Sequence, residues 1–364
     1  MSKQVIVGLS GGVDSAVTAL LLKEQGYLVQ GVYMQNWAAD HEDPHCTATQ
    51  DLADAKAVAD YLKIPFEVVN FEAQYWDNVF QTCLDAFAAG ATPNPDVLCN
   101  REIKFQALLN YVLAQGADYL ATGHYARIKK VNSQYALYTG LDTNKDQSYF
   151  LYLLTQRALA HSLFPLGELT KEAVRQKASA AGLPNSSKPD STGICFIGEK
   201  RFKPFLQEFL RKRPGKIHTL EEQVIGEHDG VVFYTLGQRK GLGIGGVESA
   251  DDAPWYVVKK DMARNRLTVA QGANHPALYQ GDAVGQSLYW HEAVLPKTPY
   301  TCTVKIRYRQ SPVPCKIIAI NPTHLTVAFD SPQRSVTPGQ SMVFYAGERC
   351  LGGAIIQADA SITG

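Results

Sequence analysis

The chain reads Gly-Leu-Ser-Gly-Gly-Val-Asp-Ser over residues 8–15, between an apolar run (Val5, Ile6, Val7) and a segment with Val17, Leu20 and Leu21 at helical spacing that closes on Gly26. Two consecutive glycines between a strand and a helix let the backbone turn sharply and bring bare N–H groups to an anion. Ser10 and Ser15 add hydroxyls, and the helix start adds partial positive charge. The chemistry is phosphate binding. No Gly-Lys-Ser/Thr ending follows, so the loop is not a Walker loop. Cys99 closes the run Thr92-Pro-Asn-Pro-Asp96-Val-Leu-Cys99-Asn100, expected as a Pro-rich loop before a helix. There the helix dipole would favour a thiolate. Cys195 falls in a second, Gly-containing loop, Ser191-Thr-Gly-Ile-Cys-Phe-Ile-Gly198. Asp96, three residues before Cys99, reads either as an acid/base group or as a helix cap. Cys83, Cys302, Cys315 and Cys350 sit in helical or strand patterns and read as buried small hydrophobes. Cys46 is left open.

The elements that must position these groups alternate over the first 125 residues. Strands are expected at residues 27–34, 66–71 and 118–123 besides the first, and helices at 47–63, 72–89 and 102–115. This pattern predicts an α/β fold with a doubly wound parallel sheet, whose ligands bind beyond the strand C-termini. Gly11, Met34 and Gly123 fall at such ends. A hairpin is expected around Asn132-Ser133, then an irregular helical stretch at 150–213. From about residue 217 glycine rises and short strands are expected at 231–235, 255–259 and 266–270. Beyond residue 276, alternating segments at 301–307, 315–320, 325–329, 341–345 and 354–357, split by Pro turns, suggest a closed β-barrel. The expected domains are 1–213, a small β-rich domain at 214–273, and the barrel at 274–364. In the barrel Lys305, Arg307 and Arg309 alternate along one expected strand and would share a face, with Tyr308 opposite. Gln238-Arg239-Lys240 adds a second basic patch.

With 364 residues the chain can form two or three domains. Formal net charge is zero, so nucleic-acid contact must come from local basic patches. Seven cysteines, an odd number without Cys-x-x-Cys spacing, argue against a disulfide framework or a zinc ribbon. With no apolar run of membrane length and no room for a signal peptide, a reducing cytoplasm is expected.

The string Ser10–Ser15 resembles the PP-loop of the ATP pyrophosphatases, which cleave ATP between the α and β phosphates and adenylate a substrate oxygen. Five further strings extend the resemblance over nearly the whole chain: residues 94–100, 121–127, 145–150, 190–198 and 234–246. Together they resemble the tRNA-specific 2-thiouridylase family. The resemblance implies that Gly8, Leu9, Ser10, Gly11, Gly12, Val13, Asp14 and Ser15, with Met34 and Gly123, bind ATP, and that Asp14 lies near magnesium-bound pyrophosphate. It implies that Cys195 carries a persulfide and that Cys99 is its catalytic partner. The sulfur goes to C2 of the wobble uridine, either from the persulfide or as sulfide freed by Cys99. Asn94, Pro95 and Asp96 resemble target-base contacts, and His124 a tRNA or active-site contact. Lys145, Asp146, Gln147, Arg307, Tyr308 and Gln340 resemble tRNA contacts, although 145–147 alone read as a solvated turn. The implied partners are a sulfur-donor protein and the tRNAs for lysine, glutamate and glutamine. Alternatives are an iron–sulfur cluster on Asp96, Cys99 and Cys195, another PP-loop ligase, and a non-catalytic RNA-binding module.

Overall fold

The computed structural model describes residues 2–37, 48–190, 202–244 and 253–358. The chain divides into two compact units. The first holds residues 1–80, 95–201 and 348–351, the second 81–94, 202–347 and 352–364.

The first unit is built on β1 (Gln4–Gly8), whose Val5, Ile6 and Val7 are fully buried, as a strand covered on both faces requires. It pairs in parallel with β2 (Leu28–Gln35) on one side and β4 (Tyr119–Ala121) on the other. β3 (Phe66–Asn70) extends one edge and the two-residue β7 (Ser162–Leu163) the other, giving the order β3-β2-β1-β4-β7. The direction of chain travel across the sheet reverses at β1, which is where an α/β sheet opens a crevice. Helix α1 (Val13–Glu24) buries Val13, Ala16, Val17 and Leu22 against this sheet and stops at Gly26, in the left-handed region at φ +84°. Helix α2 (Ala48–Leu62) adds Ala55, Val58, Ala59 and Leu62 to the same core. The hairpin β5 (Ala126–Val131) and β6 (Gln134–Thr139) turns at Asn132 in a left-handed conformation, as its sequence predicts.

Two helical expectations change. Residues 72–88 are helical throughout, but Trp76–Phe80 is a π-helical stretch. More consequential, the second helix begins at Pro95 rather than near residue 102. It runs as Pro95–Leu98, a π-helical Cys99–Leu108 and Leu109–Ala114. Proline is tolerated in a first helical turn, whose N–H groups lack an intrahelical partner. Reading the Pro-rich run as a loop therefore missed about two turns.

In the second unit, β8 (Gly215–His218), β9 (Val224–His228), β10 (Trp255–Asp261) and β11 (Arg266–Gln271) form a four-stranded sheet ordered β10-β11-β8-β9. Val231–Phe233, expected as a strand, is a single 3-10 turn that buries Val231 and Phe233 after Gly230. Tertiary packing overrides the β propensity of Val-Val-Phe there. The barrel strands are β12 (Tyr279–Trp290), β13 (Tyr300–Lys305), β14 (Val313–Ile320), β15 (His324–Arg334), β16 (Ser341–Ala346) and β17 (Arg349–Ile356). β12 pairs with both β15 and β17, so the barrel closes. β12 escaped the sequence because Gln280, Gly281, Asp282, Gly285 and Gln286 break the alternation; its two partners, not its own pattern, make it a strand. β13 ends at Lys305, which is buried. Arg307 and Arg309 lie beyond it in a turn where Gln310 N donates to Arg307 O, so the three cations do not share a strand face.

Candidate active site on the first unit

The glycine turn is fixed from several directions. Gly11 has φ +76°, and a Cβ there would stand 2.3 Å from Asp51 O. Asn185 Nδ2 donates to Gly11 O at 2.9 Å. Leu9 is buried, and its N–H donates to Val32 O, holding the loop on β2. Ser15 Oγ accepts from Ser10 N at 3.1 Å and donates to Gly12 O at 3.0 Å, so the two serines fold the loop on itself. Gly12 is the N-cap of α1 and offers no side chain to its first amides. Such an end suits an anion. Gly123, just past β4, closes against the same turn: a Cβ there would lie 2.9–3.0 Å from Asp14 and Ser15 atoms. Met34 sits near the end of β2, in register with Val69.

Asp14, in the first turn of α1, has a carboxylate about one-third exposed. Its Oδ1 accepts from Tyr125 Oη at 2.8 Å and from Lys171 Nζ at 2.7 Å. Burial, then the charge of Asp14, push the Tyr125 phenol up, so it stays a donor. A single such carboxylate fits magnesium, which keeps water and phosphate in most of its coordination sites.

Asp96 and Cys99 lie three residues apart on the Pro95 helix and so on one face of it. Cys99 is buried, as the first residue of the π-helical stretch. It is therefore one turn inside the helix, not in a loop ahead of it. Burial raises the Asp96 carboxyl above its ordinary range, and Lys104 opposes this. The same lysine bears on His124. Burial first, and the Lys104 charge second, hold that imidazole well below its usual value, so it is neutral. His124 Nδ1 lies 2.6 Å from Thr122 Oγ1, and its ring packs against Phe105 and Phe164 at 5.7 Å. A continuous path follows: Asp96 and Cys99 share a helix with Phe105, Phe105 packs on His124, and Gly123 beside it abuts Asp14 and Ser15. Asn100 Nδ2 also donates to Phe150 O.

The turn at 145–147 is engaged internally. Asp146 is buried; its Oδ1 accepts from Gly140 N and Ser148 N, and its Oδ2 from Ser148 Oγ. Gln147 exchanges hydrogen bonds with the Tyr125 backbone in both directions, and Lys145 pairs with Asp190 at 2.7 Å. Cys195 lies outside the described residues, as does Cys46. Cys302 and Cys315 face each other across β13 and β14, buried, with Sγ atoms 3.6 Å apart. Among the described residues no three His, Cys, Asp or Glu side chains gather as metal ligands, and no helix is long and apolar enough to cross a membrane.

In the second unit, Arg307 Nη2 donates to Ser335 O at 3.0 Å and Leu236 O at 3.3 Å. Tyr308 follows it in the turn. Gln340 Nε2 donates to Thr92 O at 2.7 Å, and Thr92 N donates to Pro338 O, so residues 338–340 hold the segment that leads to Asn94. Arg239 and Lys240 are exposed. Lys171, Tyr125 and Asp190 were missed as site residues. Tyr125 and Asp190 stand inside strings already noted. Lys171 had one signal: a cation directly after the capping Thr170, at the helix end that disfavours positive charge.

A parallel sheet with a glycine-rich phosphate turn at its switch point, a four-stranded β sheet and a closed six-stranded barrel define a PP-loop protein with two β modules. Three family models match: the "tRNA methyl transferase HUP domain" at residues 3–199, the "tRNA methyl transferase PRC-barrel domain" at 203–271 and the "Aminomethyltransferase beta-barrel domain" at 281–356. A tRNA-specific 2-thiouridylase MnmA of Coxiella burnetii is 56% identical over 352 residues, covering 97% of each chain. That of Salmonella typhimurium is 54% identical over 366 residues, covering 99% of this chain and 98% of its own. The chain belongs to the tRNA-specific 2-thiouridylase family.

Proposed function

We propose that this chain is a tRNA-uridine 2-sulfurtransferase that replaces O2 of a wobble uridine with sulfur at the expense of ATP. The observation that carries the reading is that the helix bearing Asp96 and Cys99 also bears Phe105, which packs on His124, next to Gly123 and its close approach to the phosphate turn at Asp14 and Ser15. It supports a thiol, a carboxyl and a nucleotide serving one base. A wobble base sits in a single-stranded loop and can be splayed into a pocket.

A carbonyl oxygen is a poor leaving group. Asp96 takes the N3 proton, O2 attacks the α-phosphorus, and the bond to the bridging oxygen breaks with its electron pair on pyrophosphate. Residues 8–15, Met34 and Gly123 hold the nucleotide. Asp14 would hold magnesium, which would offset charge on the departing phosphates. A persulfide on Cys195 then supplies sulfur, as its terminal atom or as sulfide freed by Cys99. In either route the sulfane sulfur gains two electrons, Cys99 and Cys195 end as a disulfide, and AMP leaves as C2=S forms. A dithiol reductant resets the pair.

Asn94 and Pro95 contact the target base. His124, Lys145, Asp146 and Gln147 shape the wall on the first unit, and Arg307, Tyr308 and Gln340 serve the tRNA from the second. Residues 1–213 are read as the catalytic domain, 214–273 as a small central one and 274–364 as the tRNA-binding barrel. The tRNAs are those for lysine, glutamate and glutamine; a cysteine desulfurase or relay protein delivers the sulfur, in the cytoplasm. The test is incubation with ATP, magnesium, unmodified tRNA and a persulfide donor. AMP, pyrophosphate and 2-thiouridine, by nucleoside mass analysis, are expected. Release of ADP, or an unchanged uridine, would overturn the reading.

A further inference from the structure

Three cations converge beside the phosphate turn. Asp190 Oδ1 meets Lys171 Nζ at 2.8 Å and Arg175 Nη2 at 2.7 Å, while its Oδ2 meets Lys145 Nζ at 2.7 Å. Lys171 also meets Asp14, so one ammonium bridges the turn to the cluster. Lys171 opens the helix Lys171–Ala180, and Arg175 follows one turn later on the same face. The side chain of Lys171 is largely buried, 13% exposed.

Two features single this cluster out. Asp14 and Asp190 pair directly with the three cations, Asp142 Oδ2 accepts from Lys171 N at 2.9 Å, and through Asp14 the cluster adjoins an uncapped helix start. And Lys171 stands at the positive end of its own helix, which costs free energy unless an anion meets it. Asp142 meets that need at the Lys171 N–H and Asp190 at its ammonium; the Lys145 and Lys171 hydrogen bonds outweigh the burial of Asp190 to hold its carboxyl down at about 2, so it is ionised at every working pH.

We propose that Lys171 is the cation that binds the β- and γ-phosphates of the nucleotide and stays with the pyrophosphate as it leaves, and that Asp190 is the internal anion those phosphates displace from it. The inference rests on the nucleotide reading above and adds to it a residue and an exchange. When Lys171 turns to phosphate it releases Asp14 Oδ1, freeing that carboxylate for a metal ion. Tyr125, the other donor to the same oxygen, keeps Asp14 oriented. Arg175, also held by Lys188 O at 3.1 Å, backs Lys171 in the site. The arrangement gains nothing from the adenosine end of the ligand, so its effect is confined to the phosphates beyond the α position.

The experiment is calorimetric titration of the full chain, with saturating unmodified tRNA, using α,β-methylene ATP, pyrophosphate and AMP as probes. Lys171→Gln is expected to weaken the analogue and pyrophosphate about tenfold or more, the size of a lost charge-assisted contact, with AMP unchanged and Lys171→Arg restoring part of the loss. Asp190→Asn is expected to tighten pyrophosphate. Equal weakening of all three probes by Lys171→Gln, or none, overturns the role of the lysine; weaker pyrophosphate binding in Asp190→Asn overturns the displacement. Thermal unfolding of each variant near that of the parent separates binding from misfolding. If the parent protein itself bound neither triphosphate analogue nor pyrophosphate, the nucleotide reading would fall instead.

Discussion

Gly123 and Asp14 meet so closely that there is no room between them for a methyl group. A Cβ on Gly123 would lie 2.9 Å from the Asp14 carbonyl carbon and 3.0 Å from its Cβ. The neighbours are mostly backbone, so they cannot swing away. Gly123→Ala must push the phosphate turn off the end of β4. A stability loss of about 1–3 kcal/mol is expected, the usual cost of overpacking, with AMP formation at least about tenfold slower, equivalent to ~1.4 kcal/mol on the barrier. Denaturant melts and an AMP assay read both; an unperturbed enzyme would show that the contact is not rigid.

Thiol substitutions separate the chemical cysteines from the structural ones. Cys99→Ala and Cys195→Ala should each abolish 2-thiouridine formation. Cys302→Ala should not, although trimming one buried atom beside Cys315 should cost about 1 kcal/mol of stability. Loss of thiolation in a folded Cys302→Ala protein would mean that the wrong pair has been assigned.

As the base proposed above, Asp96 should govern a pH limb. Burial lifts its carboxyl above the ordinary carboxylate range. As a base it must be ionised, so AMP formation should rise with pH through a limb displaced upward from that of a solvated carboxylate. Asp96→Asn should lower the rate and erase the limb. A limb that survives in the Asn variant belongs to another group.

His124 makes the fold acid-sensitive. Its folded-state value is depressed, so below the unfolded value near 6.5 the unfolded chain binds a proton that the folded one refuses. Its contribution to stability is therefore full above about pH 6.5 and declines as pH falls below that. Melting temperatures between pH 7 and 5 should drop for the parent and drop less for His124→Gln. Equal slopes would place the titration elsewhere, with His228, also depressed, the next candidate.

Much of this was legible in the sequence. Strong periodicity and an uninterrupted apolar run made the parallel sheet legible, and the glycine turn follows β1, at its switch point. What escaped has physical causes. The Pro95 helix was shortened because proline marks a loop as readily as a first helical turn. Val231–Phe233 has strand propensity but packs as a helical turn. β12 has no alternation because two barrel neighbours hold it. Lys171 carried only the signal of a cation directly after the capping Thr170, because its meaning depends on Asp14 and Asp190, distant in sequence and joined only by folding.

The seam between β12 and β17, where Gly285 is in register with Ile356 and Tyr289 with Gly353, carries a practical warning. A stop codon before Gly352 would strip the stave that seals the cylinder. The backbone of β12 would then present raw donors and acceptors, a template for unwanted partners. Such a shortened protein should clump rather than merely lose activity, so any shortening from that end should stop beyond Ile356.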